Sequence, residues 1–228
     1  MEKKIKAIVV YSGGMDSFTL LHKAIADGRE VYPINFYYGQ RHAVEIQCAE
    51  KVCADLGLQL RKIDISSLNG IIDNSALSGN IDIPTGHFQD ESMKLTVVPN
   101  RNMMLLSMAA AYAINIKADE VWYGAHNGDH EIYPDCRPVF VEAMRKAFAL
   151  ADWHPVDLVV PFIDGNKETI LTWGFEHNLD YADSWTCYDP KPAEGGVVVP
   201  CGKCGSCTER QEAFDKLGRK DPLVSKPV

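Results

Sequence analysis

The residues with the clearest chemical potential form a glycine-rich loop near the N-terminus. The loop reads Ser12-Gly13-Gly14-Met15-Asp16-Ser17 and follows the short apolar run 7–11. Where a strand turns through glycines into a helix, backbone N–H groups and the helix dipole create a binding site for phosphate. The loop lacks both the lysine of G-x-x-x-x-G-K-[ST] and the spacing of G-x-G-x-x-G, so neither of those phosphate motifs fits. Asp16 would repel a phosphate unless Mg²⁺ bridged the two; the alternative is a plain turn with Asp16 as helix N-cap.

The second chemical feature is a cluster of cysteines in the last quarter of the chain. Its members are Cys187, Cys201, Cys204 and Cys207. Four thiolates suit structural zinc, which prefers closed tetrahedral sulfur sites, and such a site contributes on the order of 10 kcal/mol to the folding of a small module. The C-x2-C-x2-C spacing also ligates iron–sulfur clusters, so that alternative stays open, as does a set of unliganded thiols. We expect the metal to hold the tail together because no open coordination position remains for chemistry.

These residues need a scaffold, and the apolar pattern of the chain supplies one. Short apolar runs at 7–11, 31–38, 58–65, 120–124 and 157–162 alternate with helix-length segments of 3.6-residue periodicity. In the second helical segment, Val44, Cys48, Val52 and Leu56 recur every four residues, which makes Cys48 a core residue. The alternation predicts an α/β fold, a doubly wound parallel sheet that binds its ligand at the carboxyl ends of the strands.

Two segments depart from this pattern. Residues 66–99 are rich in Ser, Asn, Asp and Gly, and we interpret them as a long functional loop or lid. After Pro190 the composition changes to Pro, Gly and Cys. We therefore expect a nucleotide-binding domain over 1–185 and a metal-binding segment with a helix over 186–228.

Composition and charge exclude some classes of function. The chain has 228 residues, with 23 Lys+Arg against 31 Asp+Glu and a net charge of −8, which argues against a broad nucleic-acid or acidic-membrane surface. Hydrophobic residues make up 46%, yet no stretch approaches the roughly 18 apolar residues of a membrane span. The apolar run near the N-terminus is too short for a signal-peptide core. We expect a cytoplasmic protein with no nucleic-acid or membrane partner.

The loop resembles the pyrophosphate-binding loop of the ATP pyrophosphatase (PP-loop) superfamily. Taken with the cysteine cluster and four further motifs, the chain resembles the 7-cyano-7-deazaguanine synthase family of queuosine precursor biosynthesis. The four motifs are Tyr38-Gly-Gln-Arg-His42, Pro99-Asn-Arg-Asn102, Tyr133-Pro-Asp-Cys-Arg137 and Thr186-Cys-Tyr188. The resemblance implies an adenine nucleotide alpha hydrolase-like fold, a homodimer, and an AMP-forming C–N ligase that uses ATP, Mg²⁺ and Zn²⁺. Its substrates would be 7-carboxy-7-deazaguanine and ammonia, and its product the nitrile.

The resemblance also implies roles for single residues. Asp16, Arg101 and Lys167 would be catalytic. The nucleotide would be bound by Tyr11, Ser12, Gly13, Gly14, Met15, Asp16 and Ser17. The substrate would be held by Phe36, Gln40, Arg41, His42, Arg101, Tyr133, Asp135 and Arg137. As alternatives, Arg41, Arg101, Arg137 and Lys167 could be solvated surface charges. His42 could simply cap a helix, and Asp135 could be a turn residue.

Two departures from the better-known bacterial pattern leave other functions open. Asn100 stands where that pattern has Gly, and the segment 126–132 replaces an acidic loop ending in Ser-Gly. A paralogue could stop at the amide or use a different amine. An RNA thiolase of the same superfamily would need a reactive cysteine, for which Cys136 is the candidate, and a nucleotide-sensing zinc protein would bind ATP without cleaving it.

Overall fold

A five-stranded, all-parallel β-sheet organises the chain. The computed structural model describes residues 4–40, 44–196 and 198–225. The strands of the sheet are β1 (Lys6–Val10), β2 (Glu30–Tyr37), β3 (Arg61–Asp64), β4 (Glu120–Trp122) and β5 (Asp157–Val159). Their order across the sheet is β3-β2-β1-β4-β5, with Ile8 of the central strand paired to Tyr32 on one side and Val121 on the other.

Helices cover both faces of this sheet, which confirms the predicted doubly wound architecture. They are α1 (Met15–Ala26), α2 (Val44–Asp55), α3 (Asn69–Ile72), α4 (Arg101–Ile116), α5 (Pro138–Ala151), α6 (Lys167–Glu176), α7 (Gly205–Lys216) and α8 (Pro222–Ser225). Side chains alternate along β1, so Ile8 packs into the core beneath α4 and α5, and Val9 into the core beneath α1, α2 and α6. The apolar stripe predicted for the second helical segment included Leu56. The structure ends α2 at Asp55 and leaves Leu56 exposed.

The strand order reverses direction between β1 and β4. The chain runs from β1 through β2 to β3 on one side, then crosses back to β4 and β5 on the other. In doubly wound sheets this switch point opens a crevice at the carboxyl ends of the strands. The segments that follow β1 and β4, which begin at Tyr11 and Tyr123, therefore meet at that crevice.

The segment 66–99 is a long connection with little regular structure. It contains α3 and a 3-10 helix at Glu91–Thr96, and Thr85 forms an isolated β-bridge with Cys204. The C-terminal segment adds a two-stranded antiparallel ribbon, β6 (Lys191–Pro192) and β7 (Val198–Val199). Within the described residues, the helices are all too short or too polar to cross a bilayer.

Candidate functional site

The glycine-rich loop joins β1 to α1 at the switch point. Gly13 has φ +100°, a left-handed conformation, and a Cβ at this position would collide with the backbone carbonyl oxygen of Glu45 in the first turn of α2. Only glycine combines that conformation with so close an approach. Asn35 of β2 supports the loop from below by donating to the backbone oxygen of Tyr11 at 2.8 Å.

The N-terminus of α1 has no side-chain cap, so its first N–H groups are available to a ligand. The N-cap is Gly14, which has no side-chain oxygen to cap them, so the alternative of a plain turn with Asp16 as N-cap does not hold. Two serines stabilise the loop internally, with Ser12 Oγ and Ser17 Oγ 3.0 Å apart and the Gly14 N–H donating to Ser12 Oγ at 3.1 Å. Amides at a helix N-terminus beside paired hydroxyls form the arrangement that binds phosphate.

A buried cluster of charges lies directly beside this loop. Lys167 Nζ is 3.0 Å from Asp16 Oδ2 and 2.9 Å from Glu209 Oε2, and 3.3 Å from His126 Nε2. His126 Nε2 is in turn 3.5 Å from Asp129 Oδ2. Although burial opposes the charged forms, the Lys167 ammonium lowers the pKa of Asp16 and the two carboxylates raise the pKa of Lys167. Burial raises the pKa of Glu209.

A cavity of about 240 Å³ extends from the loop and the charge cluster to a second, largely aromatic wall. The predicted site residues that line it are Tyr11, Ser12, Gly14, Met15, Asp16, Ser17, Phe36, Gln40, Arg101, Tyr133 and Lys167. Further lining residues were not among the predicted site residues; they include Leu77, Phe88 and Met93 from the long connection, and Trp185, Tyr188, Ser206 and Glu209 from the C-terminal part. The cavity is therefore lined by residues from the N-terminal loop, the long connection, the segment after β4 and the C-terminal part.

Arg101 is the first residue of α4 and lines the cavity. The residue before it, Asn100, has φ 54°, which explains why the better-known pattern has Gly here: asparagine is among the few residues that also adopt this conformation. Asp135 Oδ2 accepts the Asn102 N–H at 3.2 Å, while its Oδ1 is buried with no hydrogen-bond partner among the described residues. Asp135 thus binds an N-terminal amide of α4, and it is not among the residues that line the cavity.

Four further substrate-binding candidates have other contacts or lie outside the described residues. Arg137 does not line the cavity, and its Nε donates to the backbone oxygen of His130 at 2.7 Å. Gln40 lines the cavity, but its amide spans the end of β2, accepting from Tyr38 N–H at 2.8 Å and donating to the Phe36 oxygen at 3.1 Å. Arg41 and His42 lie outside the described residues.

Cys136 is one of the residues that line the cavity, although its side chain is almost completely buried. Its Sγ lies 3.4 Å from the Tyr123 hydroxyl and 3.8 Å from Asn102 Nδ2, which donates to it. Burial raises its pKa well above the ordinary value, so the side chain is a neutral thiol. A neutral, buried thiol is poorly suited to nucleophilic attack.

The four cysteines of the C-terminal segment come together as predicted. Cys187, Cys201, Cys204 and Cys207 each place a sulfur within 4.8 Å of the others, which is close enough for a single metal ion. Backbone N–H groups donate to these sulfurs, from Cys201 to Cys187 Sγ at 3.1 Å and from Cys204 to Cys201 Sγ at 3.3 Å. Such donors stabilise thiolates, so the residues present fit a bound metal.

The cysteine segment and the residue before it contact both the glycine-rich loop and the long connection. The backbone N–H of Trp185, which immediately precedes the segment, donates to the Gly13 oxygen at 3.0 Å. Towards the long connection, Thr208 Oγ1 donates to the Gly86 oxygen at 3.1 Å, and His87 Nε2 lies 3.2 Å from Glu212 Oε1. The segment thereby holds the connection 66–99 against the rest of the domain.

Comparison with known proteins gives a consistent result. The family model described as "Queuosine biosynthesis protein QueC" matches residues 6–218. A protein from Marinomonas sp. named 7-cyano-7-deazaguanine synthase is 52% identical over 96% of this chain and 97% of its own length. Another of that name, from Psychromonas ingrahamii, is 52% identical over 98% of both chains. Among solved structures, a predicted subunit of a tRNA methyltransferase from Methanocaldococcus jannaschii shares the fold, with 13% identity, a TM-score of 0.50, and coverage of 95% of this chain and 90% of its own.

Proposed function

The chain belongs to the family of the queuosine biosynthesis protein QueC, and on that premise we propose that it converts 7-carboxy-7-deazaguanine and ammonia into 7-cyano-7-deazaguanine. The proposal has two ATP-dependent halves. In the first, a carboxylate oxygen attacks the α-phosphorus of ATP, pyrophosphate leaves, and ammonia then displaces AMP from the acyl adenylate to give the amide. In the second, the amide oxygen attacks a second ATP in the same way, and loss of AMP and a proton from the resulting imidate gives the nitrile.

The main support for this proposal is that one cavity is lined both by the glycine-rich loop and by Arg101. A carboxylate is a poor electrophile because its leaving group would be oxide, and adenylation replaces oxide with AMP. That chemistry requires an anionic acid beside an anionic nucleotide, with cations placed between them. Lys167 on the loop side and Arg101 on the aromatic side are the cations that line the cavity in the part of the chain described.

The aromatic wall supports a planar heterocycle as the second ligand. Phe36, Tyr38, Tyr133 and Tyr188 line this part of the cavity, and their rings provide apolar contact and stacking. Arg101 would pair with the carboxylate of the acid. Asp135 does not itself line the cavity, but its Oδ1 is buried without a hydrogen-bond partner among the described residues, and we propose that it accepts a hydrogen bond from the ligand's N–H groups.

The residues present fit the two metals that the proposal involves. Asp16 Oδ1 is buried without a hydrogen-bond partner among the described residues, so it is available as a ligand of Mg²⁺ carried by ATP. That ion would neutralise phosphate charge during transfer. For the cysteines we propose Zn²⁺, because four closely spaced sulfurs with amide donors form a closed structural site.

A thiolase of the same superfamily is the competing function, and Cys136 decides between them. Acyl adenylation followed by amination needs no covalent enzyme intermediate, whereas sulfur transfer needs a reactive cysteine. The neutral thiol of Cys136, buried against Tyr123, favours the synthase. Cys136→Ser should therefore keep nitrile-forming turnover within a few-fold of wild type, and complete loss of turnover in a folded variant would favour the thiolase.

Direct product analysis tests the proposal. The chain is incubated with 7-carboxy-7-deazaguanine, MgATP and ammonium, the products are weighed by mass spectrometry, and AMP is counted. We expect nitrile with two AMP per molecule. Amide with one AMP would identify a paralogue that stops halfway, and ATP binding without AMP release across a panel of carboxylic acids would indicate a nucleotide sensor.

A further inference from the structure

Lys167 occupies an electrostatically unfavourable position. It is the first residue of α6, its side chain is only 7% exposed, and the positive end of the helix dipole lies beside it. A buried ammonium at such a place requires anionic partners. Asp16 supplies one carboxylate at 3.0 Å, and Glu209 supplies the other at 2.9 Å from a side chain that is 13% exposed.

Glu209 reaches Lys167 from the C-terminal segment, 42 residues further along the chain. It lies on α7 between Cys207, whose sulfur belongs to the metal-binding group, and Arg210. Arg210 is buried and forms a bidentate ion pair with Asp221, with Nε–Oδ2 at 2.8 Å and Nη2–Oδ1 at 2.9 Å. The direction in which Glu209 points is thus fixed on both sides, by the cysteine group before it and by the ion pair after it.

The neighbouring histidine helps to explain why the site holds an ammonium. His126, Asp129 and Glu209 offer ligand atoms within 4.8 Å of one another, a spacing that also suits a metal ion. However, the Gly128 N–H donates to His126 Nδ1 at 3.1 Å, so the neutral ring carries its proton on Nε2, which lies 3.5 Å from Asp129 Oδ2. Coordination of a metal through Nε2 would move this proton to Nδ1, directly against the Gly128 N–H. The cation of this cluster is therefore the Lys167 ammonium.

We infer that Glu209 is a positioning residue that holds the Lys167 ammonium beside the phosphate loop and links it to the cysteine-bound metal. This role rests on the proposed function in one respect, namely that Lys167 interacts with a bound nucleotide. The cysteine segment then does more than stabilise the tail, because the helix it anchors carries one of the two carboxylates that place the cation of the nucleotide site.

A double-mutant cycle tests whether Glu209 acts through Lys167. The wild-type chain receives three single substitutions, Glu209→Gln, Glu209→Asp and the control Glu212→Gln. Glu209→Gln is also combined with Lys167→Met. Glu212 is matched because it lies on the same helix but contacts His87 instead of Lys167. Affinity for a non-hydrolysable ATP analogue with Mg²⁺ is measured by calorimetry, without any deazaguanine, so that failure of the proposed reaction leaves this test intact.

We expect Glu209→Gln to weaken binding of the analogue about tenfold, Glu209→Asp to restore most of it, and Glu212→Gln to change it less than twofold. In the Lys167→Met background, Glu209→Gln should have no further effect. The same cycle in urea gives a second readout: Glu209→Gln should destabilise the wild-type chain but not the Lys167→Met chain, where it removes an uncompensated buried charge. All variants should retain the cysteine-bound metal.

Three results would overturn the inference. The first is equal loss of affinity from Glu209→Gln in both backgrounds. The second is a Glu209→Gln variant indistinguishable from Glu212→Gln. The third is uptake of Mn²⁺ by the nucleotide-free chain that Glu209→Gln abolishes, which would make the carboxylates metal ligands.

Discussion

Substitution of Gly13 by alanine should damage the nucleotide loop specifically, and Gly28 provides a matched control. Both glycines have positive φ, +100° and +77°. A Cβ on Gly28 would meet no atom within 4 Å, whereas a Cβ on Gly13 would overlap the Glu45 carbonyl and lie 3.1 Å from the Ala49 nitrogen. The left-handed conformation costs alanine about 1–2 kcal/mol at either position. At Gly13 the backbone of α2 must also move, which costs a further 1–3 kcal/mol or so by analogy with overpacked cores.

Two measurements separate the cost of the left-handed conformation from the cost of the contact with α2. Urea unfolding should give a loss of about 2–5 kcal/mol for Gly13→Ala and about 1–2 kcal/mol for Gly28→Ala, at unchanged m-value. The gain from a stiffer unfolded chain is shared by both variants and cancels in their difference. Calorimetry with the ATP analogue should show weakened binding for Gly13→Ala alone. Equal destabilisation of both variants together with wild-type affinity for the analogue would refute the close approach of the loop to α2.

Three further substitutions test the site and its support. Asp16→Asn should leave the chain folded by circular dichroism yet abolish AMP formation, because the Mg²⁺ ligand is lost; wild-type turnover would contradict that role. Cys204→Ser should lower the metal content measured by mass spectrometry to well below one per chain, and unchanged content would mean a different ligand set. Asp221→Asn leaves the buried Arg210 guanidinium without its carboxylate, so urea unfolding should show a loss of about 3–5 kcal/mol, and a loss below 1 kcal/mol would disprove the ion pair.

Local patterns in the sequence predicted the sheet and the two principal motifs. The apolar run 7–11 predicts a strand of a parallel sheet because such a strand is covered on both faces, and the structure buries Ala7, Ile8 and Val9 completely. The spacing of the cysteines predicts a shared metal because three of the ligands lie close together in the chain. In these cases the partners that matter are neighbours in sequence or repeat with a regular period.

Long-range contacts explain what the sequence did not reveal. In the sequence, Glu209 is one of several polar residues on α7. Its role depends on the contact with Lys167, and only the packing of α6 against α7 brings the two side chains together. Arg137 illustrates the opposite case, since its motif suggested a ligand contact but its guanidinium bonds the His130 backbone. The role of Asn100 became clear only from its φ of 54°, which shows that asparagine there preserves the turn that glycine would make.

Oxygen transfer provides the most direct test of the central claim, which is that the loop presents the α-phosphorus of ATP to a carboxylate held at Arg101. The acid is labelled with ¹⁸O in both carboxylate positions and incubated with MgATP and ammonium, and the released AMP is weighed. Each carboxylate oxygen should leave on one AMP, so that both AMP molecules formed per nitrile carry one heavy oxygen. AMP released without the label would contradict adenylation of the substrate.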